Sequence, residues 1–216
     1  MKKLTIIIVL LFVNSIVFAQ KDLKAQKILD QLSSKTKSHK VIEAKFSIDF
    51  KNTKENIQNT SEGNIIMKGN MYHLKFLETE SFFDGKTLWN YIKSANEVNI
   101  SEPEPNNEDI LSNPKQLFTI YENNYKYQLI SEFYEKNKQY SLIDLYPYNL
   151  DEEYSRIRLQ INTKNYTISS ATIFGKDGSF YIVKLFDYKF DKSLPDSYFK
   201  FDQSTYKDLE IVDMRL

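Results

Sequence analysis

Apolar and polar side chains alternate along one short segment after another in this chain of 216 residues. From Ile42 to Phe50 every second side chain is apolar, with Ala44, Phe46 and Ile48 between these two, and the intervening residues are polar or charged. Successive side chains of a β-strand point to opposite faces of the sheet, so this period of two predicts a strand with one buried face and one wet face. A helix would spread the same residues around its axis, because its period is about 3.6 residues.

Short turns separate the segments that share this pattern. Gly69-Asn70, Asp84-Gly85 and the segment 175–178 are typical of tight turns between antiparallel strands. The segments between turns are 41–51, 63–68, 71–77, 82–83, 88–91, 97–101, 125–133, 140–146, 154–162, 166–174 and 180–191, with 198–201 and 209–214 as closing strands. Because tight turns and not crossover helices join most of them, we predict one antiparallel sheet of roughly ten strands that curls or closes.

Two segments have helical spacing instead. The apolar stripe of the first, within residues 22–37, consists of Ala25, Ile28, Leu29 and Leu32. A second, short helix is predicted for residues 110–121, where Asn113 is placed to cap the helix and Pro114 fits its first turn. Two amphipathic helices beside so many strands are expected to cover one open side of the curled sheet.

The N-terminus has the order of a secretory signal: two lysines, an apolar run at 4–13 and the small residue Ala19. We therefore expect residues 1–19 to be a cleaved signal peptide and residues 20–216 to form a single domain outside the cytoplasm. A membrane anchor is the alternative, but a bilayer span needs roughly 20 apolar residues and this run is shorter.

Composition narrows the function classes. Cysteine is absent, so the chain has neither disulfides nor the N-terminal cysteine on which bacterial lipoproteins are lipidated. The 29 basic and 29 acidic residues balance, and loss of the two lysines with residues 1–19 would leave 27 against 29, so charge does not favour nucleic acid as a partner.

Polar chemistry has little support in the sequence. We predict both histidines to be solvated, His39 in a polar linker and His73 on the wet face of its strand. No histidine-containing spacing is typical of zinc, the acidic run 151–153 lacks the spaced ligands of a calcium loop, and five glycines form no phosphate loop. We therefore assign no catalytic residue, no metal and no cofactor.

Apolar area is what the strands and helices offer in place of polar groups. A closed barrel of about ten strands encloses more space than its side chains fill, so an internal cavity is one interpretation. An ordinary packed core is the other, and pattern alone favours it.

The run DGKTLWNY at residues 84–91 closely resembles a hairpin of the outer-membrane lipoprotein carrier family, LolA, with Asp84, Gly85 and Trp89 as its most recognisable residues. The strand EAKFSIDF at 43–50 resembles the first strand of that family. The strand at 63–68, the ending FKFD and the final DLEIVDMRL also follow the family order, so the resemblance covers nearly all of the chain after the signal.

The resemblance implies a mainly β fold with helices: an unclosed antiparallel half-barrel of about ten or eleven strands, with a helical lid over an apolar hollow that binds acyl chains. It assigns to the hollow Ile42, Phe46, Ile48, Phe50, Ile65, Met67, Tyr72, Leu74 and Phe76, and to the lid Leu23, Ile28, Leu29, Leu32, Leu111, Leu117 and Phe118. Each of these has an equal claim to being ordinary core, and Trp89 is expected to anchor its hairpin.

One departure concerns the lid. Well-studied members of the family hold the lid shut with an arginine after the second strand, where this chain has Met67-Lys68-Gly69-Asn70. Lys68 is the nearest candidate, but alternation places it on the face opposite Met67, and lysine lacks the bidentate fork of arginine. No latch residue is assigned.

The function that the resemblance implies is a monomeric periplasmic carrier. Such a carrier would accept acylated lipoproteins from an inner-membrane lipoprotein-releasing ABC transporter and pass them to the outer membrane, with an outer-membrane receptor as a further candidate partner. Two other hypotheses remain open: a half-barrel lipid-sensing or scaffold module that regulates a partner protein, and a secreted enzyme.

Overall fold

The predicted mainly β fold is confirmed by the computed structural model, which describes residues 22–52, 57–103, 118–122 and 125–215. These ranges contain one helix, α1 (Leu23–Ser38), and twelve strands: β1 (Val41–Asn52), β2 (Ile57–Lys68), β3 (Met71–Phe76), β4 (Thr79–Phe83), β5 (Leu88–Ile92), β6 (Glu97–Ser101), β7 (Tyr125–Glu135), β8 (Lys138–Pro147), β9 (Tyr154–Asn162), β10 (Thr167–Gly175), β11 (Ser179–Phe190) and β12 (Glu210–Asp213). Short 3-10 turns lie at Ile120–Glu122, Asp196–Phe199 and Gln203–Thr205.

All twelve strands belong to one sheet in the order β12-β6-β5-β4-β3-β2-β1-β11-β10-β9-β8-β7. Neighbours are antiparallel except β12 and β6, which run parallel. The long strands β1 and β11 pair in the middle and join the first meander, β1 to β6, to the second, β7 to β11. Because β12 and β7 end the order, the sheet is unclosed, as predicted.

The sheet has two differently covered faces. We call the face on which α1 packs the inner face, and the opposite one the outer face. The inner face carries the largest buried cluster, built from the apolar stripe of α1 and alternate residues of β1 to β3 and β8 to β11. Smaller clusters lie on the outer face, where the C-terminal segment, residues 192–209, supplies aromatic side chains.

The C-terminal segment corrects one prediction. Residues 198–201, predicted as a closing strand, instead form the end of a 3-10 turn and an extended stretch. The side chain of Phe199 is fully buried in a cluster with Val41 and Ile66, and Phe201 packs with Tyr91. Alternating aromatic residues here cover the outer face of a sheet that is already formed, so they need no strand partner of their own.

His73 is a second correction, because its side chain is buried and not solvated. Alternation places it on the outer face as predicted, but that face is not wet at this point. The ring stacks on Phe82 at 4.1 Å between centroids, and Tyr198 of the C-terminal segment covers it edge-on at 5.1 Å. Its Nε2 lies 2.7 Å from Oε1 of Glu80, which satisfies the buried ring.

Other boundaries differ from expectation. Strand β2 begins at Ile57 and not near Gly63, because pairing with β1 extends it through polar residues that have no apolar alternation. Of the predicted helix at 110–121, the described part is the 3-10 turn at its end, and the rest lies outside the described residues. The predicted signal peptide lies outside them too. None of the helices in the described ranges has the length and apolar character needed to cross a membrane.

Candidate functional site on the inner face

Strands β1, β2 and β3 bring most of the predicted hollow residues into register on the inner face. Three rows run across them: Ile42–Met67–Tyr72, Ala44–Ile65–Leu74 and Phe46–Gly63–Phe76. The rows follow from the antiparallel register, since residues directly opposite each other share a face. The structure therefore brings these predicted residues together on one face of the sheet.

Gly63 has a role that the sequence analysis did not assign. A Cβ at this position would lie 2.3 Å from Cζ of Phe46 and 2.6 Å from the carbonyl oxygen of Lys75. The Phe46 ring therefore lies directly over the β2 backbone, with the Phe76 ring 5.5 Å away between centroids. Only glycine permits this close approach, which shapes the middle of the inner face.

Burial divides the predicted hollow residues into two groups. Ile42, Phe46, Ile65, Met67 and Tyr72 are buried in the main cluster. The half-buried members, which pack against that cluster, are Ile48, Leu74 and Phe76. Phe50 is also half-buried and lies 5.0 Å from the ring of Tyr181.

Seven more half-buried apolar residues pack against the same cluster: Phe83, Leu88, Tyr127, Leu129, Tyr154, Tyr181 and Tyr188. Of these, Phe83 and Leu88 lie on β4 and β5, and Tyr181 pairs with Phe50 of β1. Phe83 pairs with Leu88 across the β4–β5 hairpin and with Tyr72 across β3 and β4. Phe83 and Leu88 could have been identified from the sequence, because residues opposite each other in the successive hairpins from β3 to β5 share a face. Tyr181 could not, because its position depends on long-range pairing with β1. We call Ile48, Leu74, Phe76, Phe83, Leu88 and Tyr181 the half-buried inner patch.

Helix α1 packs over the other half of the sheet, in contact with β7 and β10. Its residues Ile28, Leu29 and Leu32 are buried there, and so is Phe118. Leu23 is a correction to the predicted lid, because its side chain is 73% exposed. It lies at the first helical position, outside the stripe that faces the sheet. The predicted lid residues Leu111 and Leu117 lie outside the described residues.

The packing beneath the end of α1 is close. The space lined by Leu32, Ile42 and Ile168, among others, has a volume of only about 10 Å³. That is room for about one water molecule. Ile42 is therefore ordinary core in this structure, whereas the residues of the half-buried inner patch retain accessible apolar surface.

Polar contacts hold both ends of α1. At the N-terminus, Asp22 caps the helix through Oδ1 and contacts strand β7 through Oδ2, and the N–H of Ala25 lowers the pKa of its carboxyl group. At the other end, Nδ1 of His39 lies 2.7 Å from Oδ2 of Asp191, whose Oδ1 accepts from the N–H of Lys40 at 2.7 Å. His39, predicted as solvated, is thus paired and mostly covered, with 12% of its side chain exposed.

Lys68 does not contact the helix. Its Nζ donates to the carbonyl oxygen of Leu194 and to Oδ1 of Asp196, both at 2.7 Å. These contacts lie on the outer face, opposite Met67, and secure the C-terminal segment.

The hairpin of the family motif is a structural element. Gly85 has a φ of +97°, and Asp84 Oδ1 accepts from the N–H groups of Lys86 and Thr87. Burial alone would raise the pKa of Asp84, but these N–H groups hold it below its ordinary value. Trp89 lies on the outer face, packed against the cluster that contains Phe201. That is the position of a structural anchor for the hairpin.

Among the described residues, no group of three or more histidine or carboxylate side chains is placed to hold a metal ion.

Comparisons with known proteins agree with this architecture. The family model described as "Outer membrane lipoprotein carrier protein LolA" matches residues 15–179. An uncharacterized conserved protein from Thermus thermophilus is 12% identical with a TM-score of 0.59, and the match covers 88% of this chain and 99% of that one. A DUF1329 family protein from Desulfovibrio piger is also 12% identical, with a TM-score of 0.50 and coverage of 85% and 99%. These identities show a shared fold alone. A search of curated proteins found no match.

Proposed function

Because the chain belongs to the outer membrane lipoprotein carrier (LolA) family, we propose that it binds the acyl chains of lipoproteins on its inner face and carries them to the outer membrane. The finer parts of this proposal are the cargo, the direction of transfer and the compartment. The described site supports acyl chains as the cargo, membership of the family supports transfer to the outer membrane, and the signal-like order of residues 1–19 supports the compartment.

The observation that carries the proposal is the half-buried inner patch. Its six apolar side chains pack against the buried core but keep part of their surface accessible, and they lie on β1, β3, β4, β5 and β11, whereas the main strand contacts of α1 are with β7 and β10. A continuous patch of accessible apolar surface favours binding of an apolar ligand, because isolated exposed side chains rather than patches are the norm in soluble domains.

An acyl chain that crosses water between two membranes needs a protein to cover it. Each buried methylene contributes about 0.8 kcal/mol, so one sixteen-carbon chain in water costs on the order of 12 kcal/mol. A carrier lowers that cost by covering the chain with side chains such as Leu74 and Phe76. It needs no catalytic group and little recognition of the cargo polypeptide.

Localisation and partners complete the proposal. With residues 1–19 as a signal peptide, the carrier works as a monomer in the periplasm. It accepts cargo from an inner-membrane lipoprotein-releasing ABC transporter and delivers it to the outer membrane, with a receptor there as a further partner.

Native mass spectrometry of the protein purified from the periplasm tests cargo binding. We expect adducts with the mass of acylated lipoproteins or their lipid. Fractionation of depleted cells tests the direction, and we expect lipoproteins to accumulate at the inner membrane. Adducts with normal sorting would favour the sensing module over the carrier, and absence of adducts would contradict both.

A further inference from the structure

A cleft that is separate from the half-buried inner patch lies between α1 and the start of β7. Its volume is about 570 Å³. Pockets that hold small ligands are typically about 300–1,000 Å³. The cleft shares no lining residue with the inner patch, so it needs its own explanation.

Four tyrosines line this cleft: Tyr121, Tyr125, Tyr127 and Tyr148. Tyr121 and Tyr125 are buried, Tyr127 is half-buried, and Tyr148 is 57% exposed. Aromatic rings carry negative charge density on their faces and attract cations held within about 6 Å. The ring of Tyr148 already has a cation of the chain against it, because Nζ of Lys126 lies 5.8 Å from its centroid, and Lys126 itself does not line the cleft.

The charged residues of the lining leave one carboxylate uncompensated. Glu122 accepts hydrogen bonds from Oγ of Ser33 at 2.7 Å and from Nζ of Lys37 at 2.9 Å, which neutralises it. Asp30 has no hydrogen bond or ion pair with any described residue. Asp30 and Tyr127 line the same cleft. Burial and the charge of Asp30 both raise the pKa of the Tyr127 hydroxyl.

We propose that this cleft binds an organic ammonium group, held between tyrosine ring faces and the carboxylate of Asp30. Two carboxylates and one lysine give the lining a net charge of −1, which disfavours anions. The same chemistry is present in the headgroup of an amine-containing lipid and in a lysine side chain of a peptide. The inference goes beyond the proposed function, because it does not require acyl-chain binding.

Isothermal titration calorimetry with choline tests the site. The neutral isostere of choline, 3,3-dimethylbutan-1-ol, is the control. The two molecules have nearly the same shape and differ in charge. We expect choline to bind at least about tenfold more tightly, and more weakly as salt increases. Equal binding of both, or no binding of either, would overturn the proposal. Ethanolamine and Nα-acetyl-lysine amide then distinguish a headgroup from a peptide source.

Two substitutions locate the site. Asp30→Asn and Tyr148→Leu should each weaken choline binding by about fivefold, because one removes the charge and the other a ring face. Asp151→Asn, an exposed acid outside the lining, should leave it unchanged. A fluorescent fatty acid should bind Asp30→Asn as it binds the original protein, so failure of the ammonium site is separable from failure of the acyl site. Unchanged choline affinity in Asp30→Asn and Tyr148→Leu would sink the assignment.

Discussion

Asp22 and Leu129 connect helix α1 to the edge strand β7 through one carboxylate. Oδ2 of Asp22 accepts from the N–H of Leu129 at 2.8 Å, while Oδ1 accepts from the N–H groups of Lys24 and Ala25 at 3.1 and 2.9 Å. The same side chain therefore begins the helix and attaches it to the sheet.

This arrangement predicts that Asp22→Ala lowers the free energy of unfolding by about 1–2 kcal/mol, through loss of the cap and of the partner of Leu129. Urea denaturation of Asp22→Ala and of Lys27→Ala, an exposed control on the same helix, measures the difference. An effect on Asp22→Ala no larger than that on Lys27→Ala would contradict the double role.

The contribution of Asp22 should also depend on pH. Because hydrogen bonds from Ala25 lower its pKa in the folded protein, the ionised form is stabilised by folding. The contribution is present above the unfolded pKa of about 3.9 and is lost as pH falls through the folded pKa. The stability difference between the original protein and Asp22→Asn should therefore shrink below about pH 4, as measured by urea denaturation at several pH values.

Leu74→Glu should abolish binding of a fluorescent fatty acid, because it places a charge in the half-buried inner patch. Leu77→Glu, three residues away, is the matched control, since that side chain is 66% exposed in the β3–β4 turn. Circular dichroism should show both variants folded. Phe46 is unsuitable for this test, because it is buried over Gly63 and a charge there would unfold the protein. Equal probe binding by both leucine variants would remove the patch from the proposal.

Gly63→Ala should destabilise the fold by about 1–3 kcal/mol, since the new methyl group would collide with the Phe46 ring and with a backbone oxygen. Gly69→Ala is the comparison, because a Cβ there meets no atom within 4 Å and only its φ of +56° opposes substitution. Thermal unfolding should show the larger loss for Gly63→Ala. The reverse order would mean that Phe46 and the carbonyl oxygen of Lys75 both move aside at little cost.

His73 should make stability fall as the solution becomes mildly acidic. Burial lowers its pKa, although the neighbouring Glu80 opposes this, so the unfolded chain takes up a proton at a higher pH than the folded protein does. Stability should therefore decrease as pH falls below about 6.5, the ordinary histidine value. Urea denaturation between pH 7.5 and roughly 5.5 measures the slope. His73→Gln should flatten it, and an unchanged slope would assign it to other groups.

The sequence alone was enough to predict strands and turns where the alternation of side chains and a single turn determine them. Strand β9 was predicted from Tyr154 to Asn162 and the structure has those bounds, and the rows across β1, β2 and β3 follow from local pairing. The turns predicted at Gly69 and Gly85 are present, and both glycines have a positive φ. Neighbouring residues determine these features, because side-chain direction in a strand alternates with every residue.

Tertiary structure alone decided which faces stay wet and which apolar residues become core. His73 looked solvated until Tyr198, 125 positions further along the chain, covered it, and the residues predicted as a strand at 198–201 became part of that cover. Likewise α1 buried Ile42 and left Leu74 half-accessible. Periodicity predicts on which face of the sheet a side chain lies, but distant segments that pack on the sheet determine whether that side chain is buried.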